Sequence, residues 1–428
     1  LTTIEPKRDL ALSDEPELTD SDDGAPLPIP FTPREPVPDV ITNVVALKAY
    51  ADRLRGGSGP LALDAERASG FKYSQRAYLV QLRRAGAGTA LIDPISLPDL
   101  SVIQAATEGV EWILHAATQD LACLAEVGLH PSRLFDTELA GRLLGRERVS
   151  LGPLVASELG EYLEKGHGAA DWSLRPLSSA QLLYAALDVE LLAELREVMY
   201  AELERDGKLY WALEEFEALL TFTPRDRGED PWRRTSGINK IRKPRALAVV
   251  RALWVARDTV AQREDIAPGR ILPDAAIAAA ATILPATSDA LGEIKEFNGR
   301  GQTRRRATWW AAISAALALS EAELPMGSLP SSGPPAPRAW AERDPEAFAR
   351  LEAARAGLKK ISEQVQVPVE NLLSPELVRR VCWTPPIAPV LLADLLQAGG
   401  ARPWQIELVG STLQGALAAK VTPQVTDE

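Results

Sequence analysis

The chain has 428 residues, of which 46% are hydrophobic and 25% charged, and a formal net charge of -12. This is ordinary globular composition, and it is too long for one compact core, so about two to four domains are expected. No apolar stretch reaches the roughly 18 to 20 residues that cross a bilayer, and the first forty residues lack a basic segment followed by an apolar core, which speaks against a membrane anchor and against export. Two distant cysteines, Cys123 and Cys382, suit a reducing compartment better than a disulfide framework. A cytoplasmic protein is expected. With three histidines in all, any metal should sit on oxygen ligands, which favours Mg or Mn over zinc.

In chain order, residues 1–40 combine ten acidic side chains, against Lys7, Arg8 and Arg34, with Pro26, Pro28, Pro30, Pro33, Pro36 and Pro38. Such a composition buries too little apolar surface to offset its ordering entropy, and a disordered tail is expected. Helical spacing follows over 46–55, a Gly-rich turn over 56–60 and a short apolar strand over 61–66. Strands over 76–83 and 90–93 are joined by the tight turn Gly86-Ala87-Gly88, so an antiparallel meander is expected.

Helix and strand then alternate: helix at 100–108, strand at 112–115, helix at 118–127, a short strand near 134–135 and helices after Thr137. One long helix over 178–205, capped by Ser178 or Ser179, closes an α/β domain with a mixed sheet, spanning 41–222. Beyond Pro224 the pattern is helical. A basic block over 233–320 contains one amphipathic helix over 242–263 and a sharp turn at 268–274 whose Asp274 is placed to cap the next helix. A Pro- and Ser-rich linker at 324–337 leads to a second all-helical block over 338–420. The acidity is uneven, because residues 225–310 carry 17 basic side chains against 10 acidic ones, with Arg304, Arg305 and Arg306 in a row. That block is suited to meet phosphate.

Four acidic residues stand out by their settings. Asp64 and Glu66 lie two apart at the end of an apolar strand, on one face, where they cost desolvation unless a cation compensates. Asp120 follows the strand at 112–115 near a helix start, where capping is the ordinary explanation. Tyr184 and Asp188 are four apart on one helix and share a face; a half-buried Tyr and a solvated Asp would look the same. Phosphodiester cleavage needs an activated water, stabilisation of charge and a neutralised leaving oxygen, and two metals held by carboxylates about 4 Å apart supply all three. A phenol beside them would orient the water or accept its proton.

These segments resemble the DEDD 3'-5' exonucleases: Leu61-Ala-Leu-Asp-Ala-Glu66 the first motif, His115-Ala-Ala-Thr-Gln-Asp120-Leu the second, Tyr184-Ala-Ala-Leu-Asp188 the third. Tyr184 marks the DEDDy branch; the sister branch has a His where Leu183 stands. Leu134-Phe-Asp136-Thr137, and Lys165 followed by Asp171-Trp172-Ser-Leu-Arg175, sharpen the likeness to the ribonuclease D family. Arg67, after the acidic pair, departs from the apolar or aromatic residue common there. In the helical half, Leu253-Trp254-Val-Ala-Arg257-Asp258 and Pro268-Gly269-Arg270-Ile-Leu-Pro273-Asp274 resemble an HRDC domain, and the last block looks like a second, divergent copy.

The resemblance implies an RNase H-like α/β exonuclease domain followed by two all-α HRDC-type domains. It implies two divalent ions, Mg or Mn, on Asp64, Glu66, Asp120 and Asp188, with Tyr184 positioning the nucleophile, and release of nucleoside monophosphates from RNA 3' ends such as those of tRNA precursors. Arg175, Lys240, Arg242, Lys243, Arg304, Arg305 and Arg306 are candidates to hold the RNA. His115 reads as a satisfied core histidine and His167 as a solvated loop residue. The competing readings are a DNA 3'-5' exonuclease and a catalytically silent RNA-binding scaffold; the scaffold reading requires a lost ligand, and all five site residues are present.

Overall fold

The computed structural model describes residues 30–164, 166, 168–224, 226, 228–327, 333–388 and 390–419. The expected disorder of 1–29, the middle of the expected linker and the expectation for His167 lie outside these residues. A six-stranded mixed sheet has the order β1-β4-β3-β2-β5-β6. Its strands are β1 (Val40–Ile41), β2 (Ser58–Arg67), β3 (Ala77–Ala85), β4 (Gly88–Ile92), β5 (Trp112–Leu114) and β6 (Leu134–Asp136). The antiparallel meander is β2-β3-β4, while β1, β5 and β6 add in parallel. Apolar alternation sets the two faces, and buried Leu61, Leu63, Val80, Leu82 and Ile92 form one core with helix α1 (Val44–Gly56) and helix α2 (Ser101–Ala106).

The other face carries α4 (Thr137–Leu143), α5 (Leu151–Leu159), α7 (Leu192–Arg205) and α8 (Leu209–Leu219), while α3 (Leu121–Glu126) follows β5. The single helix expected over 178–205 is two, α6 (Ser179–Glu190) and α7, parted at Leu191. α6 lies across β2, β3 and β4, whereas α7 packs on α4, α5 and β5, and one straight rod cannot cover both surfaces. Ser178 caps α6 in a reciprocal box with Gln181. The disorder expected through residue 40 does not extend that far. Phe31 donates its N–H to the Tyr162 carbonyl at 2.7 Å, and Val40–Ile41 pairs with β4, because a free strand edge and an apolar groove satisfy what the segment cannot satisfy alone.

The helical half begins with α9 (Pro244–Glu264), α10 (Pro268–Ile271), α11 (Asp274–Ile283), α12 (Ser288–Gly292), α13 (Arg300–Arg304) and α14 (Arg306–Ala318), around buried Leu253, Ile277, Trp309 and Ile313. Asp274 does not cap α11. It is the first helical residue, and its carboxylate pairs with buried Arg257 and accepts the Ser236 N–H, because an interior guanidinium needs a counter-charge. After the linker come α15 (Trp340–Arg343), α16 (Pro345–Val365), α17 (Val369–Leu372), α18 (Pro375–Trp383), α19 (Leu391–Ala398) and α20 (Pro403–Leu417).

This second block repeats the first at a constant offset. α9 and α16 each have Pro at the first position and 21 residues, and each ends on a non-glycine residue in the left-handed region, Asp265 (φ 48°) and Gln366 (φ 52°). A four-residue helix and then a longer one follow in both. The second block joins the exonuclease core, where Trp404 stacks on Trp211 with ring centroids 4.8 Å apart.

Candidate active site

β2 and β5 run parallel and adjacent, so their C-terminal ends share one edge of the sheet. β2 brings Asp64 and Glu66 there, and Asp120 arrives after β5 by a single 3-10 turn (Ala117–Gln119). α6, packed over β2, supplies Tyr184 and Asp188. Carboxylate oxygens of Asp64, Glu66 and Asp188 come within 4.8 Å of one another, the one group of three or more metal-ligating side chains found among the described residues. Asp120 stands outside that group, buried, with Oδ1 3.8 Å from Arg67 Nε. It precedes α3 yet makes no capping hydrogen bond, so capping does not explain its burial.

The electrostatics show what the cluster is suited to bind. Burial pushes the Asp64 carboxyl up to about 6; burial and the charges of Asp64, Asp188 and Asp120 push Glu66 up to about 10. Asp120 and Asp188 are also held well above the usual carboxylate range, by burial and then by the Asp64 charge, and Arg67 offsets only part of this for Asp64, Glu66 and Asp120. Four clustered carboxylates, Glu66 and Asp120 buried and Asp64 and Asp188 half-buried, are costly unless a cation joins them, and an all-oxygen donor set fits a hard divalent ion. The Tyr184 phenol, hydrogen-bonded to Asp188, is itself raised by burial and by the charges of Asp188, Glu66 and Asp64, and is therefore a neutral hydroxyl.

Two positioning groups went unassigned in the sequence. Gln81 lies directly across from Asp64 on β3, fully buried, and its Nε2 donates to Asp64 Oδ2 at 2.6 Å. The signal for it was an amide in the middle of an apolar strand. Gln81→Leu is expected to weaken divalent-ion binding about tenfold or more by calorimetry, because the carboxylate loses its orienting donor; unchanged affinity would remove Gln81 from the site. Asp136, noticed only as part of a motif, accepts the N–H groups of Ala116, Ala117, Glu138 and Leu139 at 2.8–3.2 Å. It thereby caps α4 and fixes the turn at left-handed Ala116 (φ 57°) that leads to Asp120.

His115 is the satisfied core histidine that was expected: Nδ1 meets Thr137 Oγ1 at 2.9 Å, and burial lowers its pKa to about 4, leaving it neutral. Arg175, a candidate to hold RNA, is engaged within the protein. Its guanidinium holds Asp93 in a bidentate pair at 2.9 and 3.1 Å and also donates to the carbonyls of Trp172, Leu174 and Tyr78, tying the segment before α6 to the sheet. Of the arginine triplet, Arg305 is half-buried in an ion pair with Glu264, and Arg306 lies half-buried with its guanidinium against Gly292. Arg304 alone of the three is exposed. Lys240, Arg242 and Lys243 are exposed together before α9.

Residues 38–204 match the 3'-5' exonuclease family, 246–313 the HRDC domain, and 333–417 the 3' to 5' exonuclease C-terminal domain. The block expected to be a divergent HRDC copy thus matches a family of its own. The fold and the carboxylate cluster accordingly define a 3'-5' exonuclease. Ribonuclease D of Acidiphilium cryptum is 32% identical over 80% of this chain and 87% of its own length. Ribonuclease D of Granulibacter bethesdensis is 32% identical over 90% and 93%. The chain belongs to the ribonuclease D family and is a 3'-5' exoribonuclease. A solved protein from Bifidobacterium adolescentis is 39% identical with a TM-score of 0.84, covering 91% of this chain and 99% of that one. Escherichia coli RNase D, at 24% identity, covers 89% of this chain and 98% of its own with a TM-score of 0.65, and shares the fold. No helix among the described residues is long and apolar enough to cross a membrane.

Proposed function

We propose that the enzyme trims the 3' ends of structured RNA, such as tRNA precursors, in the cytoplasm, releasing nucleoside monophosphates with two divalent ions, Mg or Mn. The observation that carries this reading is the convergence of Asp64, Glu66 and Asp188, with Asp120 and Tyr184 beside them, at one sheet edge. Asp64, Glu66, Asp120 and Asp188 would hold the ions, which when bound supply charge stabilisation and activation of water. Gln81 orients Asp64, and Asp136 holds the turn leading to Asp120. Tyr184 is held by Asp188, and as a neutral hydroxyl it is suited to orient the attacking water rather than to take its proton. Tyr184→Phe is expected to lower kcat about 10²-fold with KM near the wild-type value; a rise in KM alone would refute the orienting role.

Lys240, Arg242, Lys243 and Arg304, all exposed on the basic block, are suited to hold RNA phosphates away from the reacting bond. Replacing Lys240, Arg242 and Lys243 by Ala together is expected to make the dependence of log affinity on log salt shallower by about 2, with kcat on short RNA unchanged. An unaltered salt slope would move the RNA path elsewhere. Paired RNA and DNA substrates of one sequence separate this reading from a DNA exonuclease: equal or faster hydrolysis of the DNA would overturn it.

A further inference from the structure

The loop over 68–76 leaves β2 two residues after Glu66 and is gripped by the HRDC domain at Gly70, Phe71, Tyr73, Ser74 and Arg76. The Ala267 N–H donates to the Phe71 carbonyl at 2.9 Å, and Arg270 Nε donates to the Gly70 carbonyl at 2.7 Å. The Ser74 N–H donates to Asp265 Oδ1 at 2.9 Å. Arg76 pairs with the same carboxylate, and the Tyr73 hydroxyl donates to Asp258 at 3.1 Å. The Arg270 guanidinium also covers the Phe71 ring at 4.0 Å. Three main-chain groups of the loop therefore find their partners on another domain, at the end of α9 and the start of α10.

On its inner side the same loop joins the apolar cluster against which Tyr184 packs. Buried Ala68 belongs to a cluster with Tyr78, Leu79, Trp172 and Ala185, and both Phe71 and Tyr184 pack against that cluster. The Trp172 and Tyr184 rings lie 6.3 Å apart. At its start, the loop is anchored on Arg67, which faces Asp120. The loop that carries the HRDC contacts thus shares one apolar cluster with Tyr184.

We infer that the HRDC domain supports catalysis as well as any RNA binding, with Asp265 and Arg270 as positioning residues that hold the 68–76 loop and, through Phe71 and the Trp172 cluster, the wall behind Tyr184. A domain that only collects RNA would need no such grip on the segment following the acidic pair. The inference rests on the exonuclease reading, because the wall matters through the reaction it supports. It adds to that reading a cause for turnover that lies outside the exonuclease domain.

The test uses the full chain with Arg270→Ala and Asp265→Gly. Arg270 is exposed, and glycine accepts the positive φ at position 265, so neither change strains the fold. Hydrogen exchange of the 68–76 peptide is expected to accelerate in both, with β2–β5 exchange unchanged. The kcat on a three-nucleotide RNA and on a long RNA should fall by the same factor, about tenfold to 10²-fold, and Arg270→Lys, which keeps a cation over Phe71, should restore most of it. Unchanged kcat with a raised KM on long RNA alone would overturn the inference and leave the domain as an RNA holder; so would unaltered loop exchange. A wild-type chain inactive on both RNAs would count against the exonuclease reading, and the exchange of the loop remains readable in that case.

Discussion

Asp64→Asn or Asp188→Asn is expected to slow hydrolysis of labelled single-stranded RNA by about 10³-fold or more in the presence of Mg or Mn, corresponding to ~4 kcal/mol of lost transition-state stabilisation. Both substitutions preserve shape. An Asn at 64 still offers an oxygen to Gln81 Nε2, and one at 188 still faces the Tyr184 hydroxyl. The loss therefore tests charge and ligation rather than packing. The same variants, stripped of divalent ions, are expected to melt above the stripped wild type at pH 8, because each removes a carboxylate that its neighbours repel. A variant that both retains full trimming and melts no higher would sink the metal-site assignment.

The second large effect is a linkage between pH, divalent ions and stability. The clustered carboxyls have folded-state pKa values above their unfolded values of about 4, with Asp64 raised to about 6 and Glu66 to about 10. Between those limits the folded state binds more protons than the unfolded chain, so the stability of the ion-free protein falls as pH rises. The contribution is fully present below about pH 4; it is lost through pH 6 for Asp64 and continues to be lost toward pH 10 for Glu66. An ion binds the ionised cluster, so Mg binding releases protons and restores what deprotonation costs. The expected result is a Tm that falls from pH 5 to 9 without divalent ions, and a rise in Tm on adding Mg that is larger at pH 8 than at pH 6. An increment independent of pH would show that these carboxyls are not what the ion binds.

Much of this chemistry was legible from local rules. The i, i+2 spacing of Asp64 and Glu66 fixes one strand face and the i, i+4 spacing of Tyr184 and Asp188 fixes one helix face, both within a few residues of chain. Asp120 was the least determined, because a carboxylate at a helix start has an ordinary explanation that only its missing capping bond and its position beside Arg67 removed. The basic residues were the least reliable reading. Composition shows charge but not whether a guanidinium is already engaged, and Arg175 and Arg305 are occupied by Asp93 and Glu264, distant in sequence.

The sequence by itself determined the α/β domain and the helical character of the rest, since both follow from periodicity over short stretches that the backbone geometry enforces, while the acidic set was implied by the resemblance of its three motifs. Tertiary structure alone decided the parting at Leu191, the docking of residues 30–40, the support of Asp64 by Gln81 and the grip of the HRDC domain on the 68–76 loop. Each of these depends on a partner brought near by the sheet order or by domain packing. No local pattern encodes such a partner, because the burial that makes it necessary exists only once the chain has folded.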